Sequence, residues 1–221
     1  MKKTLCAAAL AAALGWGAAA QADDGVIRIG FITDMSGLSA DADGPGGAEA
    51  IKMAIADFGG SVAGKKIEVL VADHQNRADI ASSRAREWLD QKGVNMLIAG
   101  ANSAAALAMA KVAEEKKTPF FVVSAGASEL TNSQCTPYTV HYVYDTVSLA
   151  RGTARAMLKE GNKDWFFLTV DHAFGQALER DASAVVTADG GTVKGRVRHP
   201  LNTADFSSFI LQAQASGATV L

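Results

Sequence analysis

Two short segments combine small and hydroxyl-bearing residues with the start or end of an apolar run: Gly100-Ala101-Asn102-Ser103 and Ser124-Ala125-Gly126-Ala127-Ser128. Asn102 or Ser103 can cap a helix over 103–117. The same geometry leaves backbone N–H groups and the positive end of the helix dipole facing outward, which suits a carboxylate, and a Ser hydroxyl adds one more donor. Small residues at 124–128 either make a tight turn or let a ligand approach the backbone closely. Further along, His141, Tyr142, Tyr144 and Asp145 bring aromatic and charged groups together. Alternation in extended chain turns Tyr142 and Tyr144 the same way, as cleft wall or as hinge packing. In Asp171-His172-Ala173-Phe174-Gly175, Phe174 either closes over a ligand or packs at a helix start.

Covalent chemistry has little support. Gly126-Ala127-Ser128 runs on into Glu129-Leu130, so no nucleophile elbow forms. There is no H-x-x-x-H, no C-x-x-C and no carboxylate pair bracketing a histidine. The dipeptides Asp73-His74 and Asp171-His172 point neighbouring side chains apart in extended chain. Gly44-Pro45-Gly46-Gly47 lacks the Lys-Ser/Thr of a phosphate loop and the spacing of a dinucleotide fingerprint, and reads as part of a long mobile loop over 39–47. The expectation is a non-enzymatic chain with no cofactor and no metal.

These segments need elements to hold them. Short apolar runs at 26–32, 66–72, 95–99, 119–124, 164–170, 192–198 and 217–221 are bounded by Gly, Asp, Asn or Pro and read as buried strands. Amphipathic stretches at 46–58, 77–91, 103–117, 146–160, 173–188 and 205–215 read as helices. Strict alternation of the two gives an α/β fold with parallel sheets flanked by helices. The rhythm breaks once, over 126–145, where no helix is expected and 138–144 reads as a strand. That break divides a first lobe, 24–143, from a second, 144–221. The second ends on a half-finished strand, which predicts that this chain is the front part of a longer protein. In such sheets ligands bind outside the carboxyl ends of the strands, so the strand-to-helix loops are the informative ones.

The first 22 residues are a different kind of object. Met1-Lys2-Lys3 is a basic start, residues 5–20 are almost wholly apolar, and Ala20-Gln21-Ala22 is a small-x-small cleavage pattern. This is the layout of a secretory signal peptide. Cys6 lies too near the start to resemble a lipoprotein acylation site. Without Lys2 and Lys3 the 21 basic residues become 19 against 23 acidic, a formal charge of −4. A basic footprint for nucleic acid is therefore missing. No other apolar run reaches membrane-spanning length, and the exported chain is expected to be soluble. Cys135 alone remains, which leaves no internal disulfide and no cysteine zinc site.

Taken together, I-R-I-G-F-I-T-D-M-S-G (27–37), G-A-E-A-I-K-M-A-I-A-D-F (47–58), A-D-H-Q-N (72–76), A-G-A-N-S (99–103), S-A-G-A-S-E-L-T-N (124–132) and F-G-Q-A-L (174–178) resemble the type I periplasmic solute-binding proteins of ABC transporters, in the leucine/isoleucine/valine-binding group. The run 131–146 and D-H-A-F-G look most like a branch that takes up aromatic acids. The resemblance implies a two-lobe periplasmic-binding-protein type I fold whose lobes close on a ligand, with the second lobe truncated in this chain. It implies that the chain is a periplasmic monomer that delivers a small carboxylate-bearing ligand, an amino acid or an aromatic acid, to an ABC permease at the inner membrane. It assigns the ligand carboxylate to Ser103 and Ala127, with Asn102 and Gly126 beside them. Ser128 stands where amino-acid binders have Thr, and Phe174 where they usually have Tyr, which makes the wall more apolar. Tyr144 would flank the ligand, and Asp145 is the candidate partner for an ammonium group. Two rival readings are a ligand-sensing module for a membrane receptor and an exported α/β hydrolase.

Overall fold

The computed structural model describes residues 25–221; the export segment expected at 1–22 lies outside the described residues. The larger of two sheets contains β1 (Val26–Thr33), β2 (Ser61–Val62), β3 (Lys65–Asp73), β4 (Val94–Ala99), β5 (Phe120–Val122) and β6 (Thr139–His141). Their spatial order is β2-β3-β1-β4-β5-β6, and every neighbouring pair is parallel except the β2–β3 hairpin. Parallel neighbours need long crossovers. Helices α1 (Ala40–Asp43), α2 (Pro45–Asp57), α3 (Ala78–Gln91) and α4 (Ser103–Lys116) lie in those that precede β5, and the β5–β6 crossover holds only a 3-10 turn.

Period-two alternation divides the strand side chains between two layers. Ile32, Leu97, Ala99, Phe120 and Val122 turn toward α3 and α4, where they meet Ala81, Ala85, Trp88, Ala106 and Met109. Phe31 and Ile98, with Ile29 and Phe121, turn the other way toward Ala48 and Ile51 of α2. Burial on both faces is why the strands read as nearly continuous apolar runs. Gly30 is required at its position: a Cβ there would lie 2.8 Å from Cε3 of Trp88, whose ring rests on the strand backbone.

The smaller sheet pairs β7 (Asp164–Val170) with β8 (Thr192–His199) in parallel. It carries α5 (Thr146–Lys159), α6 (Ala173–Ala188) and α7 (Ser207–Ala215). Ala154, Leu158, Trp165, Val186 and Val220 form its core. The Trp165 indole N–H donates to the Asn162 carbonyl at 2.9 Å, so the buried ring keeps its polar atom satisfied. On its other edge β7 carries a parallel bridge between Trp165 and Val220.

Three expectations are corrected. The stretch 39–47 is not a mobile loop: α1 occupies its first half and Pro45 opens α2, with Gly44 between them. Asp34 organises this segment, since its carboxylate accepts from the N–H of Gly37 at 2.8 Å and of Ser39 at 2.9 Å. Within 126–145 there is one 3-10 turn, Ser128–Leu130, and the strand expected over 138–144 is only the three residues of β6. After His141 the chain leaves the sheet because Asp145 begins α5. The last strand, expected at 217–221, is reduced to the bridge at Val220.

Candidate functional site

A cleft of about 510 Å³ opens at the carboxyl ends of both sheets. One wall comes from the segments that follow β1, β3, β4 and β5, and the other from those that follow β7 and β8, with Tyr144 at the crossing between them. This is where an open parallel sheet leaves strand ends and helix starts unpaired.

On the first wall, Asn102 caps α4 by accepting the Ala105 N–H at 3.0 Å. Its φ of 90° lies outside the regions that side-chain-bearing residues favour. The conformation is held from behind, as the Asn102 amide donates to the Asn76 backbone carbonyl at 3.2 Å and to its side-chain oxygen at 3.1 Å. Asn76 in turn donates to Asp34 at 2.5 Å. Ser103 is 3% exposed. Its hydroxyl oxygen accepts the Ala127 backbone N–H at 3.2 Å and retains its own proton to donate.

Two histidines fix the carbonyls of these segments. His74 Nε2 lies 3.1 Å from the Ala101 oxygen and His141 Nε2 lies 2.7 Å from the Ala125 oxygen. A carbonyl only accepts, so each ring donates from Nε2. In His74 the second nitrogen accepts the Asn76 N–H at 3.1 Å, so the neutral ring satisfies both partners. Burial lowers the His74 pKa below the ordinary 6.5, although the Ala101 bond and Asp34, Asp73 and Asp43 oppose that fall. Burial raises the Asp73 pKa, but bonds from the Ser36 hydroxyl and the Gln75 and Met35 N–H groups outweigh it and the pKa is lowered overall.

On the second wall, His172 caps α6, its Nδ1 accepting the Gly175 N–H at 3.3 Å. Both walls therefore aim a helix N-terminus at one space. Asp171, Phe174 and Leu201 complete this side. Gly126 is where the aromatics converge: a Cβ there would lie 2.8 Å from Tyr144 Cε2 and 3.1 Å from Phe174 Cε2.

Of the residues picked out by sequence, Asn102, Ser103, Gly126, Tyr144 and Phe174 line this one cleft, and Ala127, Ser128 and Asp145 do not. Ala127 is fully buried, with its N–H on Ser103. Asp145 is the N-cap of α5 and accepts the Ser148 N–H at 2.7 Å in a capping box. The Ser128 hydroxyl donates to Asp181 at 2.7 Å and accepts from Arg180 at 2.9 Å. Asp181 also accepts the Thr146 hydroxyl at 2.6 Å, and Arg180 pairs with Glu129. These bonds tie the 3-10 turn to α6 beside the cleft. Sequence reasoning passed over Leu38, Asn76 and Leu201, which also line it. Applying the strand-end rule after β3 and β8 finds the last two.

A larger hollow of about 600 Å³ lies over β7 between α5 and α6. Among its lining residues only Glu179 is charged, and Arg196 and Arg198 hold that carboxylate at 3.3 and 3.4 Å. Its lining is mostly apolar, whereas polar side chains such as Asn76, Asn102, Ser103 and His172 gather in the smaller cleft.

A family model described as periplasmic binding protein matches residues 26–221. The Leu/Ile/Val-binding protein homolog 6 of Brucella abortus (strain 2308) is 30% identical over 202 residues, covering 90% of this chain and 50% of its own length. A crystal structure of a periplasmic binding protein from Burkholderia mallei is 64% identical with a TM-score of 0.85, over 87% of this chain and 52% of that one. A solute binding protein of an ABC transporter from Rhodopseudomonas palustris BisB5, in complex with 3,4-dihydroxy benzoic acid, is 29% identical with a TM-score of 0.77, over 90% of this chain and 55% of that one. The chain spans about half the length of the curated relatives it matches.

Proposed function

The chain belongs to the periplasmic binding protein family, and from that premise we propose that it captures a small carboxylate-bearing ligand between its two sheets and delivers it to an ABC permease. The capture is non-enzymatic and periplasmic. The observation that carries this reading is the cleft itself, in which the N-termini of α4 and α6 face one another across the ends of two parallel sheets. Backbone N–H groups and the positive dipole ends there favour an anion. In this reading the lobes are 24–143 and 144–221, and they close on the ligand. Ser103 and the backbone of the 124–126 segment hold the carboxylate, while Tyr144 and Phe174 flank its body.

Among the two ligand classes, the aromatic acid is favoured. The two aromatic rings closing on Gly126 suit a flat ligand. The relative in complex with 3,4-dihydroxy benzoic acid supports the same class.

Calorimetric titration of the purified chain with benzoate, 4-hydroxybenzoate and L-leucine tests this. Saturable binding of an aromatic acid is expected. Binding of leucine alone replaces the ligand class, and silence toward all three removes the capture role.

A further inference from the structure

Asp171 and His172 both line the second wall of the cleft, and we infer that they read a hydroxyl group at the end of the ligand remote from its carboxylate, so that the ligand is a hydroxylated aromatic acid. This inference rests on the aromatic-acid reading above and adds the substituent and the two residues that select it.

His172 is pinned in one tautomer. Its Nδ1 accepts the Gly175 N–H at 3.3 Å, so in the neutral ring the proton must be on Nε2. The ring is neutral near pH 7: burial lowers its pKa, and the neighbouring His199 pushes the same way. His172 lines the cleft, and Nδ1 is already used by the helix, so the Nε2–H is the polar atom the residue has left to offer a ligand. Asp171, also on this wall, uses one carboxylate oxygen on the Gln176 amide at 2.8 Å and lies 3.8 Å from Arg198. A carboxylate has capacity for more than one donor.

A hydroxyl group both donates and accepts. It can take the His172 N–H and give its proton to Asp171, which a bare ring edge cannot do. A carboxylate at the same place would meet Asp171 as a like charge. The wall therefore discriminates in two ways, for the hydroxyl and for the direction of the ligand, carboxylate toward Ser103 and hydroxyl toward Asp171. A site built to hydrogen-bond a hydroxyl rejects the analogue that lacks it, because its own polar groups are then left unpaired.

The test is calorimetry on the full chain with 4-hydroxybenzoate, benzoate and 4-methoxybenzoate. The wild type is expected to bind 4-hydroxybenzoate about tenfold more tightly than benzoate, the effect of one net hydrogen bond. Methylation removes the donor and is expected to lower the affinity as well. In His172→Asn, whose side-chain oxygen still caps α6, the ratio between hydroxybenzoate and benzoate is expected to fall toward one. Equal wild-type affinity for the three acids overturns the inference and leaves the aromatic-acid reading standing. A ratio that survives in His172→Asn overturns the role of His172. If no aromatic acid binds, the reading beneath the inference fails and the inference goes with it. Should His172→Asn not fold, the wild-type comparison of hydroxy, methoxy and unsubstituted acids decides alone.

Discussion

The Ser103 hydroxyl and the Ala127 backbone N–H are bonded to each other at 3.2 Å, across 24 residues of sequence. The two segments that follow β4 and β5 are thus joined into one shelf before any ligand arrives. In the proposed function a ligand carboxylate would meet this preorganised surface, on which Ser103 still has a proton to donate.

Ser103→Ala removes that donor and leaves the buried Ala127 N–H without its acceptor. An interaction with a charged group is worth about 1.5–3 kcal/mol, so ligand affinity is expected to fall by roughly 10- to 100-fold. The unpaired N–H costs about 1–3 kcal/mol of stability, short of unfolding the chain. Calorimetry and thermal unfolding read the two effects separately, and an unchanged affinity removes Ser103 from the carboxylate site.

Gly126→Ala places a methyl group 2.8 Å from the Tyr144 ring and 3.1 Å from the Phe174 ring. Tyr144 is 52% exposed and can swing outward. Overpacking costs about 1–3 kcal/mol, and here it is expected mainly as weaker binding of an aromatic ligand, by about tenfold. Unchanged binding with a lowered melting temperature would show that the glycine serves packing alone.

Asp181→Ala strips the acceptor from two hydroxyls, those of Ser128 at 2.7 Å and Thr146 at 2.6 Å. The expected loss is about 2 kcal/mol or more in urea unfolding. Amide exchange is expected to rise in the 3-10 turn and in α6 together, because this carboxylate joins them. A rise confined to α6 would refute that coupling.

Stability is expected to fall with pH from about 6.5 downward, and His74 is one cause. Its folded pKa lies below 6.5, so beneath that value the unfolded chain binds more protons than the folded one. Stability then rises with pH, is complete above 6.5, and is lost as pH falls toward the folded pKa. His172 contributes in the same direction. Asp73, whose pKa is lowered from 3.8, acts only at more acid pH. Urea midpoints at pH 7 and pH 5 should differ less in His74→Gln than in the wild type. An unaltered difference rules out His74 as a source.

The sequence already carried most of the strands and helices, because parallel strands buried on both faces leave unbroken apolar runs such as Val26–Thr33. It also carried five of the residues that line the cleft, Asn102, Ser103, Gly126, Tyr144 and Phe174. Asn102, Ser103 and Phe174 sit at helix starts, where local spacing and capping chemistry are visible. What stayed hidden depends on partners far along the chain. Ser128 has the same type and spacing as a ligand-binding residue, and only the approach of Asp181, 53 residues away, shows that its hydroxyl is spent. Asp145 reads equally well as an ammonium partner or a helix cap, and the backbone of Ser148 decides.

The opposed N-termini of α4 and α6 have a kinetic consequence. The full chain carries a net charge of −2, so under the proposed function an anionic ligand would be repelled at a distance and attracted only once it enters the cleft. Raising salt from about 0.1 M to 1 M shortens the screening length from about 10 Å to about 3 Å. That screening removes the distant repulsion far more than the attraction at close range inside the cleft. The rate of anion capture should therefore hold or rise as salt is added, the reverse of a binder that draws in its ligand by opposite net charge.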